Sequence, residues 1–203
     1  ILERHGAGKG VGLRLGERVA AIIPAGGGGC VVRTSGADLP PAGMVVFCAG
    51  VAPETAIARS AGILMGRTGI VTDRTMRTSD PRVFAVGDAV ETEDPVAGGM
   101  RCVALAGPAA RQARVAVHAI FGREDAYRGT LGTAIVKFFE MAAGMTGANE
   151  KALKAAGRRY AKVYLRPPAH AAYYPGATPL AIKLLYDPEG GLLLGAQAVG
   201  REG

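Results

Sequence analysis

An aspartate that directly follows an apolar run is the residue of this sequence with the most evident chemistry. Residues 83–86 are all apolar, and Gly87 separates them from Asp88. An unbroken apolar run predicts a strand that is buried on both faces, and a glycine after it lets a ligand approach the backbone closely. Open α/β sheets bind ligands at the carboxyl ends of their strands. Asp88 is therefore predicted to accept hydrogen bonds from the hydroxyls of a sugar or polyol.

A turn at residues 78–81 is predicted to lead into this strand. Pro81 fixes its own φ and favours an extended Asp80, so the turn ends at that pair. A simpler alternative is a buried strand that ends in a solvated turn without any ligand. That alternative accounts for the apolar run but not for the position of the Asp88 carboxylate.

The start of a helix is the second candidate binding element. The helix is predicted over residues 105–121, with Pro108 near its first turn and Gly122 as its stop. Free N–H groups and the positive end of the helix dipole at residues 105–109 suit a partly anionic acceptor. An ordinary amphipathic helix that packs Val115, Ile120 and Phe121 into the core explains the same pattern, and both interpretations can hold together.

The charge of the chain does not by itself predict a nucleic-acid partner. Its 203 residues include 24 lysines and arginines against 17 aspartates and glutamates, a formal net charge of +7. The basic residues are dispersed, aromatic residues make up 5% of the chain, and no nucleic-acid-binding motif accompanies them. A solvated surface is the better interpretation, although phosphate-bearing ligands would also benefit from the charge.

Membrane and metal partners are not predicted either. No run approaches the roughly twenty apolar residues of a membrane span. The three cysteines share no metal or redox spacing, and Cys48, in an apolar segment, is expected to be a buried small hydrophobe. A reducing, cytoplasmic setting is the expected location.

The rest of the pattern predicts α/β structure followed by an α+β unit. Glycines at residues 6–12 have the spacing G-x-G-x-G-x-G rather than that of a dinucleotide loop, so they are interpreted as a helix-to-strand connection. A polar stretch at residues 123–130 predicts a domain boundary, and an antiparallel sheet is predicted beyond it. Asn149 is expected to cap a helix that ends at Gly157.

The predicted elements fall on both sides of this boundary. Before the boundary we predict a hairpin of strands 19–23 and 30–33, a buried strand 44–49, a helix 54–61 and a strand 69–72. After it we predict strands 134–139, 160–165, 180–186 and 192–199, with a hairpin turn at 187–191.

Residues 78–88, with Ala89 after them, resemble the second flavin-binding motif of the pyridine nucleotide-disulfide oxidoreductases. The resemblance implies that Asp88 contacts the ribityl chain of FAD. It also implies that the helix after residue 105 points at the pyrimidine side of the flavin ring and stabilises the negative charge of the reduced flavin. The FAD-binding residues expected from this resemblance are Thr78, Gly87, Asp88, Ala89, Leu105, Ala106 and Gly107.

Other segments extend the resemblance over nearly the whole chain. Residues 50–55 resemble the loop that closes the NAD(P)H domain, which implies that Gly50 lies near the nicotinamide; Ala52 stands where the family commonly has Arg. Residues 131–133 and 146–150 resemble the entrance to the family's dimerisation domain.

Residues 170–177 resemble the coenzyme A-disulfide reductase, NADH oxidase and NADH peroxidase branch rather than the glutathione reductase branch. The resemblance implies that Tyr173 reaches across a homodimer to the substrate side of the partner's flavin. A phenol there can donate a proton to a leaving thiolate or a sulfur adduct. The alternative is that Tyr173 and Tyr174 flank a Pro-Gly turn and fill an interface. Ala110 departs from the Asn that the family often has one turn into the helix, so coenzyme A binding stays open.

The resemblance implies the C-terminal half of an FAD-dependent NAD(P)H oxidoreductase that reduces a small-molecule disulfide, persulfide or oxygen species. The expected fold class is α/β, with incomplete FAD/NAD(P)-binding three-layer Rossmann-like domains, then an α+β dimerisation domain. We expect residues 1–72 to end the NAD(P)H-binding domain, 73–124 to be the return segment of the FAD-binding domain, and 125–203 to be the dimerisation domain, incomplete at its C-terminus.

Catalysis by the isolated chain is not expected. The redox cysteine and both G-x-G-x-x-G loops of the family are expected to precede Ile1, in a longer protein. The alternative function is a non-catalytic dimerisation module that binds no cofactor when isolated.

Overall fold

The computed structural model describes residues 1–201, which fall into two compact units, Ile1–Val51 and a second that begins at Ala52. The first unit contains helix α1, Leu2–Gly8, and the antiparallel strands β1, Val19–Pro24, and β2, Cys30–Thr34. An N–H···O bond of 2.8 Å from Ala25 to Gly29 closes the loop between the strands. The predicted hairpin is therefore confirmed. The glycines at residues 6–12, predicted to connect a helix to a strand, span the last turn of α1 and the start of the segment that leads to β1.

The buried strand predicted at residues 44–49 is wrong. These residues form no strand, the side chain of Phe47 is 72% exposed, and Cys48 is exposed rather than buried. Cys30 and Ala42 exchange N–H···O bonds of 2.8 Å in both directions, but the pairing with β2 goes no further along the chain. An apolar run becomes a buried strand only where neighbouring strands and covering helices exist, and the described part of this unit supplies none beside these residues.

The second unit is built around a five-stranded antiparallel sheet. Its strands are β5, Ala134–Phe138; β6, Met141–Gly147; β7, Ala161–Leu165; β8, Ala181–Tyr186; and β9, Leu193–Gly200, in the order β5-β6-β9-β8-β7. Helices α2, Ala56–Ser60; α3, Ala106–Ile120; and α4, Glu150–Ala155, and the short hairpin of β3, Glu91–Glu93, with β4, Met100–Cys102, complete the unit. Four of the sheet's strands and all three helices confirm the predictions to within a few residues.

Two predicted strands of the second unit are single bridges instead. Phe84 pairs with Arg77 alone, and Ile70 forms isolated bridges to Met65 and Val90. Val83 and Val86 are each 40% exposed, so the prediction of a strand buried on both faces is wrong. The reason is the same as at residues 44–49: within the described chain, no continuous strand lies beside the run to pair with it.

Helix α3 packs on one face only. Val115 and Ala116 lie in a core cluster with Met76 and Tyr127, whereas Ile120 and Phe121 are exposed, against the prediction. At 3.6 residues per turn, Ile120 lies about 140° around the helix from Val115, so the two side chains cannot share a face. Within residues 1–201, no helix is long and apolar enough to cross a membrane.

The predicted cap of helix α4 is confirmed. The Asn149 side chain accepts a hydrogen bond of 2.9 Å from the Ala152 N–H, and Leu153 is fully buried against Leu185 and Leu194.

We expect Asn149→Ala to lower the free energy of unfolding by about 1 kcal/mol, because a first-turn N–H loses its acceptor. Asn149→Gly should lower the free energy of unfolding by only about a few tenths of a kcal/mol. Urea unfolding checks both, with the exposed Lys151→Ala as a control; an equal loss for the Ala and control variants would contradict the capping role.

The same helix is tied to the sheet by Glu150. Its carboxylate accepts hydrogen bonds from Lys162 Nζ (3.0 Å), Lys183 Nζ (3.1 Å) and the Tyr160 hydroxyl (3.0 Å). These hydrogen bonds, led by the one from Lys162, lower the pKa of Glu150 from 4.5 to about 2.

Acid should therefore destabilise this sheet through Glu150. A carboxyl whose folded pKa is depressed contributes stability above its unfolded pKa and loses it as the pH falls through the folded value. We expect the free energy of unfolding to fall from about pH 4.5 to about pH 2, and Glu150→Gln to make that fall shallower. Denaturant titrations at a series of pH values measure the slope, and identical slopes for both proteins would contradict the assignment.

Candidate functional site

Local hydrogen bonds shape the turn that precedes Asp88. The Thr78 N–H and hydroxyl both donate to the Val83 carbonyl, at 2.9 and 3.0 Å. The Asp80 carboxylate accepts from the Arg82 N–H at 2.9 Å and from its guanidinium at 3.0 Å. The Arg82 guanidinium holds the pKa of Asp80 below its usual range. Thr78 and Asp80 are thus engaged within the turn, where they fix its shape.

Residues 87–90 form a second turn that is attached to helix α3. Gly87 has φ +87°, a left-handed conformation that favours glycine, and its carbonyl accepts from the Val90 N–H at 3.2 Å. The Gly87 N–H donates to Gln112 Oε1 at 2.6 Å. A Cβ at Gly87 would lie 3.9 Å from the Ala109 Cβ, so the backbone passes close to the first turns of α3.

Asp88 lies exposed at the corner of this turn. Within residues 1–201 its carboxylate has no hydrogen bond or ion pair, in contrast to that of Asp80. Val90 on the far side of the turn is fully buried, and the Ala89 carbonyl accepts from the Ile70 N–H at 2.7 Å. The turn is therefore anchored on both sides of a carboxylate whose oxygens are free to accept bonds from a ligand.

The first turn of α3 opens into a cleft of about 790 Å³. Leu105 is the N-cap in an extended conformation with no side-chain cap, and the Ala109 N–H makes the first intrahelical bond, 3.2 Å to the Leu105 carbonyl. The N–H groups of Ala106 and Gly107 therefore lack intrahelical acceptors. Leu105, Ala106, Gly107, Arg111 and Arg128 are among the residues that line the cleft. Helix dipole and guanidinium groups together favour an electron-rich ligand there.

Tyr173 lies in the loop between β7 and β8. Hydrogen bonds of 2.8 Å from Ala169 N–H to Thr178 and from Leu180 N–H to Pro167 close the base of this loop. The Tyr173 side chain is 84% exposed, and its ring centroid lies 5.1 Å from that of Tyr174. It does not line the cleft at α3, so a catalytic role for Tyr173 within its own chain has no structural support.

Gly50 belongs to the first compact unit, where it is exposed with φ +99°. Its predicted position near a nicotinamide stays a prediction. Among residues 1–201, no group of three His, Cys, Asp or Glu side chains is placed to hold a metal ion.

The sequence interpretation missed Gln112, which is 1% exposed. A glutamine is rarely fully buried, and its place in α3, three residues before Val115 on the same face of the helix, was the available signal. Gly87 is bonded to this helix, whose first residues line the cleft. Asp88 and Ala89 follow Gly87 in the same turn, while Tyr173 does not line the cleft.

Comparison with known proteins identifies the family. The profile described as pyridine nucleotide-disulphide oxidoreductase matches residues 1–119, and that of the family's dimerisation domain matches residues 133–203. These matches define the class of protein from which both domains of the chain come. The chain belongs to the pyridine nucleotide-disulphide oxidoreductase family.

Curated relatives agree with this assignment. The chain is 33% identical over 187 residues to an NAD(P)H sulfur oxidoreductase (CoA-dependent) of Pyrococcus furiosus, covering 92% of this chain and 40% of the relative. It is 32% identical over 162 residues to a coenzyme A disulfide reductase of Staphylococcus aureus, covering 79% and 36%. The chain thus spans well under half the length of these relatives.

Solved structures share the fold. The chain matches reduced Bacillus anthracis CoADR-RHD with TM-score 0.93 and 36% identity, over all of this chain and 36% of the other. It matches an NAD-dependent persulfide reductase from A. fulgidus with TM-score 0.93 and 33% identity, over all of this chain and 38% of the other. An FAD-dependent family member from Desulfovibrio vulgaris matches with TM-score 0.79 and 29% identity, over 100% and 48%. The expected family and fold class are confirmed.

Proposed function

We propose that these residues serve an FAD-dependent NAD(P)H oxidoreductase that reduces a disulfide, such as coenzyme A disulfide, a persulfide or an oxygen species. Membership of the family supports the reaction class, and the names of the relatives support the range of acceptors. Because the chain spans less than half of those relatives, the activity is proposed for the whole protein.

One arrangement carries the proposal: the Asp88 carboxylate, which has no partner among residues 1–201, lies in a turn that is bonded to α3. The site fits the ribityl-flavin part of FAD. An exposed carboxylate accepts bonds from polyol hydroxyls, Gly87 leaves the backbone open to close approach, and the free N–H groups of Ala106 and Gly107 suit a ring oxygen that gains negative charge. Thr78, Ala89 and Leu105 complete the proposed FAD-binding set.

These residues bind and orient; they do not themselves react. FAD held by these residues would supply the two-electron redox chemistry between NAD(P)H and the acceptor. Asp88 fixes the polyol linker, and the N-terminus of α3 stabilises negative charge at the ring by an electrostatic field that is already oriented. Gly50 is proposed to lie near the nicotinamide, with residues 1–72, 73–124 and 125–203 as the NAD(P)H-binding, FAD-binding and dimerisation segments.

The proposed assembly is a homodimer in the cytoplasm, without nucleic acid or membrane as partner. The dimerisation-domain match supports the homodimer, and Tyr173 is proposed to act on the acceptor at the partner's flavin. Its exposure in the β7–β8 loop is compatible with contact to a second subunit.

The decisive experiment purifies the whole protein and measures bound flavin and NAD(P)H oxidation with coenzyme A disulfide, polysulfide, peroxide and oxygen as acceptors. We expect a yellow protein that oxidises NADH or NADPH with at least one acceptor. A colourless protein that takes up no added FAD would overturn the proposal.

A second candidate function is a dimerisation module without cofactor, favoured by the self-contained sheet of residues that match the dimerisation domain. We expect residues 1–203, purified alone, to show no flavin absorbance. A yellow preparation of this segment would refute the module interpretation without touching the oxidoreductase proposal.

A further inference from the structure

Gln112 connects the two elements of the proposed FAD site. It lies on α3 with its side chain 1% exposed, and its Oε1 accepts the Gly87 N–H at 2.6 Å. Gly87 directly precedes Asp88, and α3 begins with Ala106 and Gly107, whose N–H groups are free of intrahelical acceptors. One buried side chain therefore links the carboxylate turn to the helix whose N-terminus lines the cleft.

The bond ties to α3 a turn that is also held by the Ala89–Ile70 hydrogen bond and by the buried Val90. Glycine at φ +87° has the widest backbone freedom of any residue, so the direction of the next side chain depends on what holds Gly87. Its carbonyl accepts a local bond from Val90, which closes the turn. Among residues 1–201, the bond to Gln112 is the hydrogen bond that joins this turn directly to α3.

We infer that Gln112 is a positioning residue for FAD, which holds the Asp88 carboxylate and the N-terminus of α3 in one fixed geometry. The inference rests on the proposed function, because it concerns how the two parts of the proposed FAD site are held in a fixed relative position. When a flavin binds to both elements, no conformational entropy is lost in ordering the turn, and such preorganisation raises the affinity for the flavin. Gln112 acts through Gly87 and needs no contact with the cofactor.

Two substitutions separate the acceptor role from simple packing. Gln112→Met keeps a similar volume but leaves the half-buried Gly87 N–H without its acceptor. Gln112→Glu keeps a side-chain oxygen at the same reach and can still accept that bond. Gln197→Met, at a glutamine on β9 outside the proposed FAD site, is the matched control.

The test uses the whole protein, stripped of flavin and titrated with FAD, and reads out the dissociation constant and the visible circular dichroism of the bound flavin. We expect Gln112→Met to weaken FAD binding by about tenfold, the effect of one lost hydrogen bond, and to change the flavin dichroism. Gln112→Glu should stay within a few-fold of the wild type, and Gln197→Met should be unchanged.

Wild-type affinity and dichroism in Gln112→Met would overturn the inference, and so would equal losses in the Met and Glu variants. If Gln112→Met does not fold, Gln112→Glu decides: affinity within a few-fold of wild type supports the role, and a tenfold or larger loss in the folded protein overturns it. A wild-type protein that binds no FAD would instead refute the proposed function, which keeps the two failures distinct.

Discussion

Asp88→Ala in the whole protein is expected to yield an enzyme that is largely free of FAD, with affinity lower by about a hundredfold. Hydrogen bonds to a charged group contribute about 1.5–3 kcal/mol, and the upper value corresponds to roughly two decades in the dissociation constant. The exposed carboxylate has no partner within residues 1–201, so its removal breaks no described contact. Flavin absorbance after purification and fluorescence titration of the stripped protein measure the effect.

Stability and matched variants separate this outcome from misfolding. The free energy of unfolding of the flavin-free protein should change by no more than about 0.5 kcal/mol, as for other surface substitutions. Asp80→Ala is the control: it removes the carboxylate that accepts bonds from Arg82 in the preceding turn, and it should keep most of the FAD. Full flavin content in Asp88→Ala would remove the central contact of the proposed site.

Local signals in the sequence predicted the elements that local chemistry determines. Asn149 as an N-cap, Pro108 in a first helical turn and the Asp187 turn each depend on neighbours within a few residues, and the structure contains all three. The Asp187 carboxylate accepts bonds from the N–H groups of Glu189 and Gly190, the arrangement typical of an Asx turn.

Predictions that needed distant partners were less successful. Residues 44–49 and 83–86 are apolar enough for central strands, but β-structure depends on the strands beside it more than on its own residues. Strand β6 was missed for the opposite reason: its sequence, MAAGMTG, has low β-propensity, yet β5 and β9 pair with it along both edges. Both the two absent strands and the missed strand β6 were therefore decided by pairing with neighbouring strands, which cannot be inferred from the composition of a segment.

The residues of the candidate site show the same difference between local patterns and long-range contacts. Asp88 was predicted because glycine and aspartate after an apolar run form a local pattern. Gln112 lies 25 residues beyond its bonding partner, Gly87, and no short motif connects them. Contacts of this separation exist only after the helix has packed on the turn, and so they require the structure.

Tyr173→Phe in the whole protein is expected to lower turnover by about a hundredfold while leaving flavin content unchanged. A positioned general acid contributes about 10²–10⁴ to a rate, and phenylalanine retains the ring while removing the proton. The ring lies beside Tyr174 in an exposed loop, so the substitution should not disturb folding. Steady-state NAD(P)H oxidation measures turnover, Tyr174→Phe is the control, and an unchanged rate in Tyr173→Phe would exclude the phenol from the mechanism.

Mixed dimers test whether Tyr173 acts across the subunit interface. In a heterodimer of an Asp88→Ala subunit and a Tyr173→Phe subunit, action in trans places both defects at one flavin site and leaves the other site complete. Because one of its two sites is then complete, and one acid supplies the proton at each site, such a heterodimer should retain about half of the wild-type activity. If Tyr173 acted within its own subunit, each site would carry one defect and the heterodimer would be as inactive as either parent. Because each single defect is expected to be about a hundredfold, the two arrangements differ by about half of the wild-type activity against about one per cent.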